Sequence, residues 1–290
     1  MRPFLFAGGT AVVTGAASGI GEALAHALAE RGSDLLLIDR DESRLDGVAA
    51  ALGSRVRVTT HVVDLADAAA TTRAALDILG AHSRIRLLVN NAGVALAGRF
   101  DQVTLDEFAW VIDINFVAAV RLTHLLLPAL KAETGAHLVN VSSVFGLAAP
   151  PGQTAYAASK FALRGFSDSL RGELAEDGIG VTCVHPGGIR TRIADQARLG
   201  SGVDRAEYEA GREQFAKLLT IAPAKAATAI LSGVRRRRAR VLIGGSARGL
   251  DLLARTMPVL HGRLIAAAAA RWTPRIRDSR GGATANDSRA

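Results

Sequence analysis

Ser143, Tyr156 and Lys160 are the residues through which this chain can do chemistry. Tyr156 and Lys160 stand four apart, a spacing that puts a phenol and an ammonium on one face of a helix. A free phenol titrates near pH ~10, so at neutral pH it is a poor base unless a cation stabilises the phenolate. Lys160 can supply that cation. Ser143, arriving from the end of a preceding strand, can hold a substrate oxygen beside the phenol. The trio would then move a proton to or from the oxygen of an alcohol or ketone. A helix with a half-buried core Tyr and a solvated Lys would show the same spacing. A cofactor site in the right place decides between the two readings.

The beginning of the chain supplies one. Residues 10–14 read as a buried strand that runs into Gly15-Ala-Ala-Ser18-Gly19-Ile20-Gly21, ahead of a helical pattern with Leu24 and Leu28 on one face. Strand, glycine turn and helix N-terminus together make a phosphate site, because backbone N–H groups and the helix dipole favour an anion. The spacing is G-x-x-x-G-x-G, a variant of the commoner dinucleotide fingerprint. A tight turn with close helix–strand packing would use the same glycines. A second strand, 34–38, ends at Asp39 and Arg40. An acid 24 residues after Gly15 suits a carboxylate on the adenosine ribose 2′-hydroxyl. That carboxylate would repel a 2′-phosphate, so Asp39 favours NAD. Arg40 could turn towards such a phosphate, which keeps NADP open.

The elements behind these residues alternate. A helix over 42–52 leads to a strand at 56–63 that ends in Asp64 and Leu65. A helix over 67–80 precedes a strand at 85–89 ending in Asn90-Asn91-Ala92-Gly93. A long helical pattern over 105–130 holds Asn115, a poor mid-helix residue whose side chain competes for backbone bonds. The spacing therefore predicts a functional or helix-distorting Asn115. A strand at 136–141 leads to Ser142 and Ser143, and the Tyr156 helix runs to about 176. A strand at 180–184 ends in His185-Pro186-Gly187-Gly188-Ile189-Arg190-Thr191. Residues 192–220 read as a mobile lid, followed by a helix at 224–234 and a short strand at 240–243. The pattern predicts one α/β domain, a Rossmann-type doubly wound parallel sheet of about seven strands with helices on both faces. Small polar groups at the carboxyl ends of the strands fall where such sheets bind ligands.

Composition bounds the rest. With 49% hydrophobic residues the chain can bury a sizeable core. The single Cys183 excludes a disulfide framework and a Cys-based metal site, fits a reducing compartment, and no metal enters the reading. The first ten residues hold too short an apolar run for a signal peptide, and no uninterrupted apolar stretch of about 18 residues argues for a spanning helix. Charge is unevenly placed. Residues 235–290 carry 13 Arg and 3 Asp, a net +10, so with +8 for the whole chain residues 1–234 are left at −2.

Taken together, the sequence resembles the short-chain dehydrogenase/reductase family over residues 10 to about 245. The resemblance rests on Thr14-Gly-Ala-Ala-Ser-Gly-Ile-Gly21, Asn90-Asn-Ala-Gly93, Asn115, Ser143, Tyr156-x-x-x-Lys160, and Pro186-Gly187 with Thr191, in family order and with 13 residues from Ser143 to Tyr156. It implies that Tyr156 is the general acid/base, that Lys160 lowers its pKa and bonds the nicotinamide ribose, and that Ser143 holds the substrate oxygen. It also implies that Asn115 positions a proton-relay water. Gly15, Ser18, Gly19, Ile20 and Gly21 would surround the pyrophosphate and adenosine. Asp64 and Leu65 would flank adenine. Asn91, with Ala92 and Gly93, would approach the adenosine side and support the central sheet. Ile189 and Thr191 would hold the carboxamide, and Pro186 and Gly187 would also line the cofactor. Ser142 is left to strand-end hydrogen bonding.

The residues expected near the substrate, Leu96, Val144, Phe145, Leu147, Pro150 and Ile193, are apolar and point to a lipophilic alcohol or ketone. The extension 246–290 is the departure from the family pattern. Residues 250–272 are apolar with interspersed Arg248, Arg255, Arg263 and Arg271, and Pro258 divides them into two short helices. The chain from about 274 reads as disordered. Arg with Leu, Ile and Trp at helical spacing suits an anionic membrane surface, and equally suits packing on the body or across an oligomer interface. The expectation is a cytoplasmic homo-dimer or homo-tetramer with peripheral membrane contact as an option. Two alternatives stand beside it. A 3-oxoacyl-thioester reductase would use the basic tail to dock an acidic carrier or coenzyme A. A non-catalytic nucleotide-fold binder would use it for nucleic acid. The intact Ser143, Tyr156 and Lys160, and the scarcity of aromatics among the arginines, argue against the last.

Overall fold

The computed structural model describes residues 2–270. Expectations for residues 271–290, including Arg271, Trp272 and the disorder from about 274, lie outside the described residues. The elements in order are β1 (Thr10–Thr14), α1 (Gly19–Ala29), β2 (Asp34–Asp39), α2 (Glu42–Leu52), β3 (Val58–Val62), α3 (Ala68–Ala81), β4 (Leu87–Asn90) and β5 (Leu96–Ala97). Then come α4 (Leu105–Ile112), α5 (Ala118–Lys131), β6 (His137–Val141), α6 (Thr154–Glu173), β7 (Gly180–Pro186), β8 (Arg198–Leu199) and α7 (Arg205–Ala216). The last are α8 (Pro223–Arg235), β9 (Arg240–Ile243), α9 (Gly245–Thr256) and α10 (Leu260–Ala270).

Seven strands pair in the order β3-β2-β1-β4-β6-β7-β9, all parallel. The inner strands are mostly apolar because both of their faces are covered, whereas the edge strand β3 (Val-Thr-Thr-His-Val) is only partly buried. Val13, Leu35 and Leu37 point to the layer of α1, α2 and α8. Val12, Leu36 and Ile38 point to the layer of α3, α5 and α6. Chain order reverses between β1 and β4, and parallel sheets of this kind open a ligand crevice at that switch point.

The expected long helix is there, but it is not uniform. Residues Asp113–Val117 form a π-helical turn between α4 and α5. By length and composition the helix Leu105–Lys131 is apolar enough to cross a bilayer, a property hidden from a search for uninterrupted apolar runs. Its buried residues, among them Ala118, Leu122 and Leu126, pack on the sheet instead. Strand starts move by up to two residues. Ile85 is buried, but its N–H bonds the Ala129 carbonyl of α5 at 3.0 Å rather than a neighbouring strand. Residues 192–220 are more structured than a bare lid. β8 pairs with β5, Arg198 lies 4.3 Å from the Trp110 ring centroid, and Ser201 bonds the Glu107 carboxylate. The extension does form two helices, and α9 begins at Gly245, ahead of the expected start.

Candidate active site

The β1–α1 turn is shaped for close approach. Gly15 and Gly19 have φ of 66° and 58°, the left-handed region that favours glycine. A Cβ on Gly21 would collide with the Gly15 carbonyl oxygen. Ser18 begins α1 as its N-cap, and its hydroxyl makes no capping bond, so it is free for an anion at the helix N-terminus. Thr14 and Asn91 lock this turn to β4. The Thr14 hydroxyl accepts from the N–H groups of Asn91 and Ala92, each at 3.0 Å, and Asn91 Nδ2 donates to the Thr14 carbonyl at 2.9 Å. Asp39 closes the far side. Its carboxylate accepts from the N–H groups of Ala17 (2.9 Å), Arg40 (2.7 Å) and Asp41 (3.1 Å), while the Arg40 side chain is exposed. Asp64 turns back on its own loop, accepting from the Ala66 N–H at 2.9 Å. Leu65 is buried in the core, so any contact with a ligand falls to its backbone.

Ser143, Tyr156 and Lys160 come together at the carboxyl end of β6. The Ser143 hydroxyl neighbours the Tyr156 phenol and accepts from the Phe145 N–H at 3.1 Å. Burial pushes the phenol above its ordinary range, with the Ser143 hydroxyl opposing the rise. Lys160 is buried, and desolvation lowers its ammonium to about 8. Its Nζ donates to the Val141 carbonyl at 3.1 Å and lies 5.6 Å from the Tyr156 ring centroid. The ammonium is directed at the Val141 carbonyl, and burial is the main influence on the phenol. Ser142 donates to the Lys160 carbonyl at 2.9 Å, the hydrogen-bonding part expected of it.

Asn115 sits in the π turn and is buried. Its Oδ1 accepts from the Val94 N–H at 2.8 Å, and its Nδ2 donates to the Val94 carbonyl and the Ser159 hydroxyl, each at 3.0 Å. It therefore pins the loop after β4 to α6. Gly93 is squeezed between Asn115 and Lys160, where a Cβ would stand 3.2 Å from each. On the other side, Pro186 ends β7 and Gly187 passes so close to Ser246 and Val144 that a Cβ would clash. Ile189 bridges Ile221, and Thr191 approaches Gly19 closely enough to meet a Cβ there at 3.1 Å. The loop after β7 thus lies against the glycine turn, and both face the switch point.

A profile for the short chain dehydrogenase family matches residues 9–201. The chain belongs to the short-chain dehydrogenase family. The oxidoreductase SadH of Mycobacterium tuberculosis is 40% identical over 275 residues, which cover 93% of this chain and 98% of that protein. A short-chain dehydrogenase/reductase of Burkholderia phymatum in complex with NAD superposes with a TM-score of 0.80 at 28% identity, covering 89% of this chain and 96% of that one. A short-chain dehydrogenase of Sphingobium yanoikuyae in complex with NADPH gives 0.72 at 29% identity, over 95% and 99%. The protein is an oxidoreductase of this family with a Rossmann-type sheet, and relatives of the same fold hold a nicotinamide cofactor.

The residues at the switch point suit such a cofactor: a glycine cradle with no room for side chains, a helix N-terminus and an unbonded Ser18 hydroxyl. Two features of this short-chain dehydrogenase site are not visible in sequence. Asn90 Nδ2 donates to Thr123 (3.0 Å) and Asn140 (2.9 Å), and Asn140 Nδ2 donates to Ser167 (2.9 Å), a buried polar bridge beneath the candidate site. His185 is the other. Its Nδ1 bonds the Ser143 carbonyl at 3.0 Å. A carbonyl only accepts, so Nδ1 carries the proton and Nε2 is the bare nitrogen, buried with no partner. Burial lowers this imidazole to about 4 and keeps it neutral at physiological pH. The one available signal was a histidine directly before Pro186 in a mostly apolar strand.

Proposed function

We propose that the protein interconverts a secondary alcohol and a ketone on a lipophilic substrate, with Tyr156 as general acid/base. The observation that carries this reading is the half-buried Tyr156 phenol set beside the Ser143 hydroxyl and the buried Lys160. A substrate oxygen held by these two hydroxyls exchanges its proton with Tyr156. A phenol raised by burial is protonated at neutral pH and ready to donate to a ketone oxygen. Lys160 is the nearby cation that stabilises the phenolate left behind, and it can itself give up a proton near pH 8. A nicotinamide cofactor, when bound, supplies or accepts the hydride. Gly15, Ser18, Gly19, Ile20 and Gly21 would hold its pyrophosphate. Pro186, Gly187, Ile189 and Thr191 would hold its carboxamide end, and Asn115 would order the loop between. Tyr156→Phe tests the proton role: turnover should fall by about 10²–10⁴-fold with cofactor binding retained. Unchanged turnover would sink the mechanism.

Asp39 supports NAD over NADP. Its carboxylate already takes three backbone N–H groups, yet its negative charge stays where a 2′-phosphate would come. Titration of NADH against NADPH reads the preference directly, and Asp39→Ser should narrow it. For the substrate, Phe145 packs edge-on to Tyr156 at 6.0 Å and Val144 is half-buried beside it. Leu96 and Leu147 are almost fully buried and help as packing more than as open wall.

In this reading residues 1–245 carry the machinery and 246–290 form an added element that meets an anionic membrane. Leu252, Met257, Val259, Leu260 and Leu264 are exposed, and Arg248 and Arg263 are exposed beside them. Co-sedimentation with anionic vesicles, lost in a Leu260→Ser, Leu264→Ser variant, is the expected result. Equal sedimentation with neutral vesicles would overturn it.

A further inference from the structure

We propose that a groove at the amino-terminal ends of the strands, opposite the active site, binds a small polyphosphorylated anion. The groove encloses about 510 Å³ and gathers Arg2, Arg31, Arg235, Arg236 and Arg237 from three separate segments. Those segments are the chain before β1, the turn after α1 and the end of α8. Phe6, Thr228 and Ser232 complete its floor and walls. No carboxylate lines it. Among the described residues, no ion pair involves Arg2, Arg31, Arg235 or Arg236. Elsewhere several arginines that cross between elements meet carboxylates, as Arg57 meets Asp34, Arg86 meets Glu133 and Arg240 meets Asp251.

A helix C-terminus favours cations, and that accounts for Arg235. It does not account for Arg2 and Arg31, which other segments bring to the same concavity. Like charges held together repel, so their convergence is favourable only when an anion is shared between them. Two of the five are pre-set. Arg237 is tied to the carbonyls of Arg2, Gly135 and Ala136, and so builds the groove rather than lining it for exchange. Arg31 lies 5.8 Å from the centroid of the Phe6 ring and donates to the Ala27 carbonyl, which fixes where its remaining N–H groups point. Arg2, Arg235 and Arg236 are exposed and free to close on a ligand. Guanidinium groups bond phosphate oxygens in pairs, and the Ser232 hydroxyl adds a neutral donor. The volume suits a molecule of nucleotide size, and a concavity ringed by arginines suits a compact anion better than an extended strand.

The test is calorimetric titration of the full chain, with NADH present to fill the dinucleotide site and inorganic tripolyphosphate as the probe. One saturable site per chain is expected. Arg235→Ser with Arg236→Ser should weaken it at least tenfold, while Arg248→Ser with Arg263→Ser leaves it unchanged. NADH binding should be the same in all. Should the first pair fail to fold, judged by lost NADH binding, Arg2→Ser carries the same expectation. Absence of saturable binding, or an affinity untouched by the Arg235 and Arg236 changes, would overturn the proposal. So would an oligonucleotide that binds this face where tripolyphosphate does not.

Discussion

Arg237 is the only non-glycine among the described residues with φ in the left-handed region, at 49°. It ends α8 in the arrangement usually made with glycine: its N–H bonds the Val234 carbonyl, and the Arg238 N–H reaches back to Gly233. The backbone cost of a side chain there is about 1–2 kcal/mol. The guanidinium offsets it by bonding the carbonyls of Arg2, Gly135 and Ala136, and hydrogen bonds to charged groups are worth about 1.5–3 kcal/mol each when buried, less at this half-buried site. Arg237→Gly should therefore lower stability in urea melts by about 1–3 kcal/mol although it relieves strain. A more stable variant would show that backbone strain dominates. His185 poses a smaller question of the same kind. Replacing it by Phe keeps the ring but leaves the Ser143 carbonyl unpaired. Turnover should then fall more than cofactor affinity, and His185→Asn, which can still donate, should recover part of it.

At the scale of elements, the strand–turn–helix start is where sequence and structure agree most closely. Glycine spacing carries its own geometry: only a residue without Cβ fits where Gly21 faces the Gly15 carbonyl. Gly21→Ala should force the turn apart and weaken NADH binding at least tenfold, with the sheet still formed by circular dichroism; unaltered binding would mean the turn relaxes freely. Asn115 was legible as a residue that does not suit a helix interior, but the π turn that places it was not, since nothing in local spacing encodes one extra residue per turn. The Asn90–Asn140–Ser167 bridge was illegible for another reason: its members come from β4, β6 and α6, and only the fold brings them together. The 192–220 segment looked featureless because β8 is two residues long and gains its order from Leu96–Ala97, about a hundred positions earlier. Polar composition signalled exposure there and said nothing of the pairing.

Over the whole molecule, the two ends of the sheet have different tasks in the proposed reading. The carboxyl ends hold the glycine turn and the Ser143 and Tyr156 hydroxyls, and the amino ends hold the arginine groove. Both ends keep a histidine buried and neutral. Desolvation lowers His137 to about 3 and His185 to about 4. Arg237 and Arg171 also disfavour charge on His137, as do Arg240 and Arg164 on His185, where Asp251 opposes them. The sign of the resulting pH dependence follows from proton counting. Above pH ~6.5 both histidines are neutral folded or unfolded and contribute no slope. Below it the unfolded chain takes up protons that the folded chain refuses, so stability falls with pH until the folded values are reached. Each histidine contributes a slope of about 1.4 kcal/mol per pH unit inside that window. Urea unfolding of the full chain should therefore weaken steadily from pH ~6.5 to about 5.5, before most carboxylates begin to titrate. His185→Asn should remove somewhat less than half of that slope, because a residue that does not titrate binds no proton in either state and the partly buried His61, also lowered by desolvation, adds a share of its own. A flat profile across the window would mean that the histidines reach water in the folded protein, and their burial would have to be abandoned.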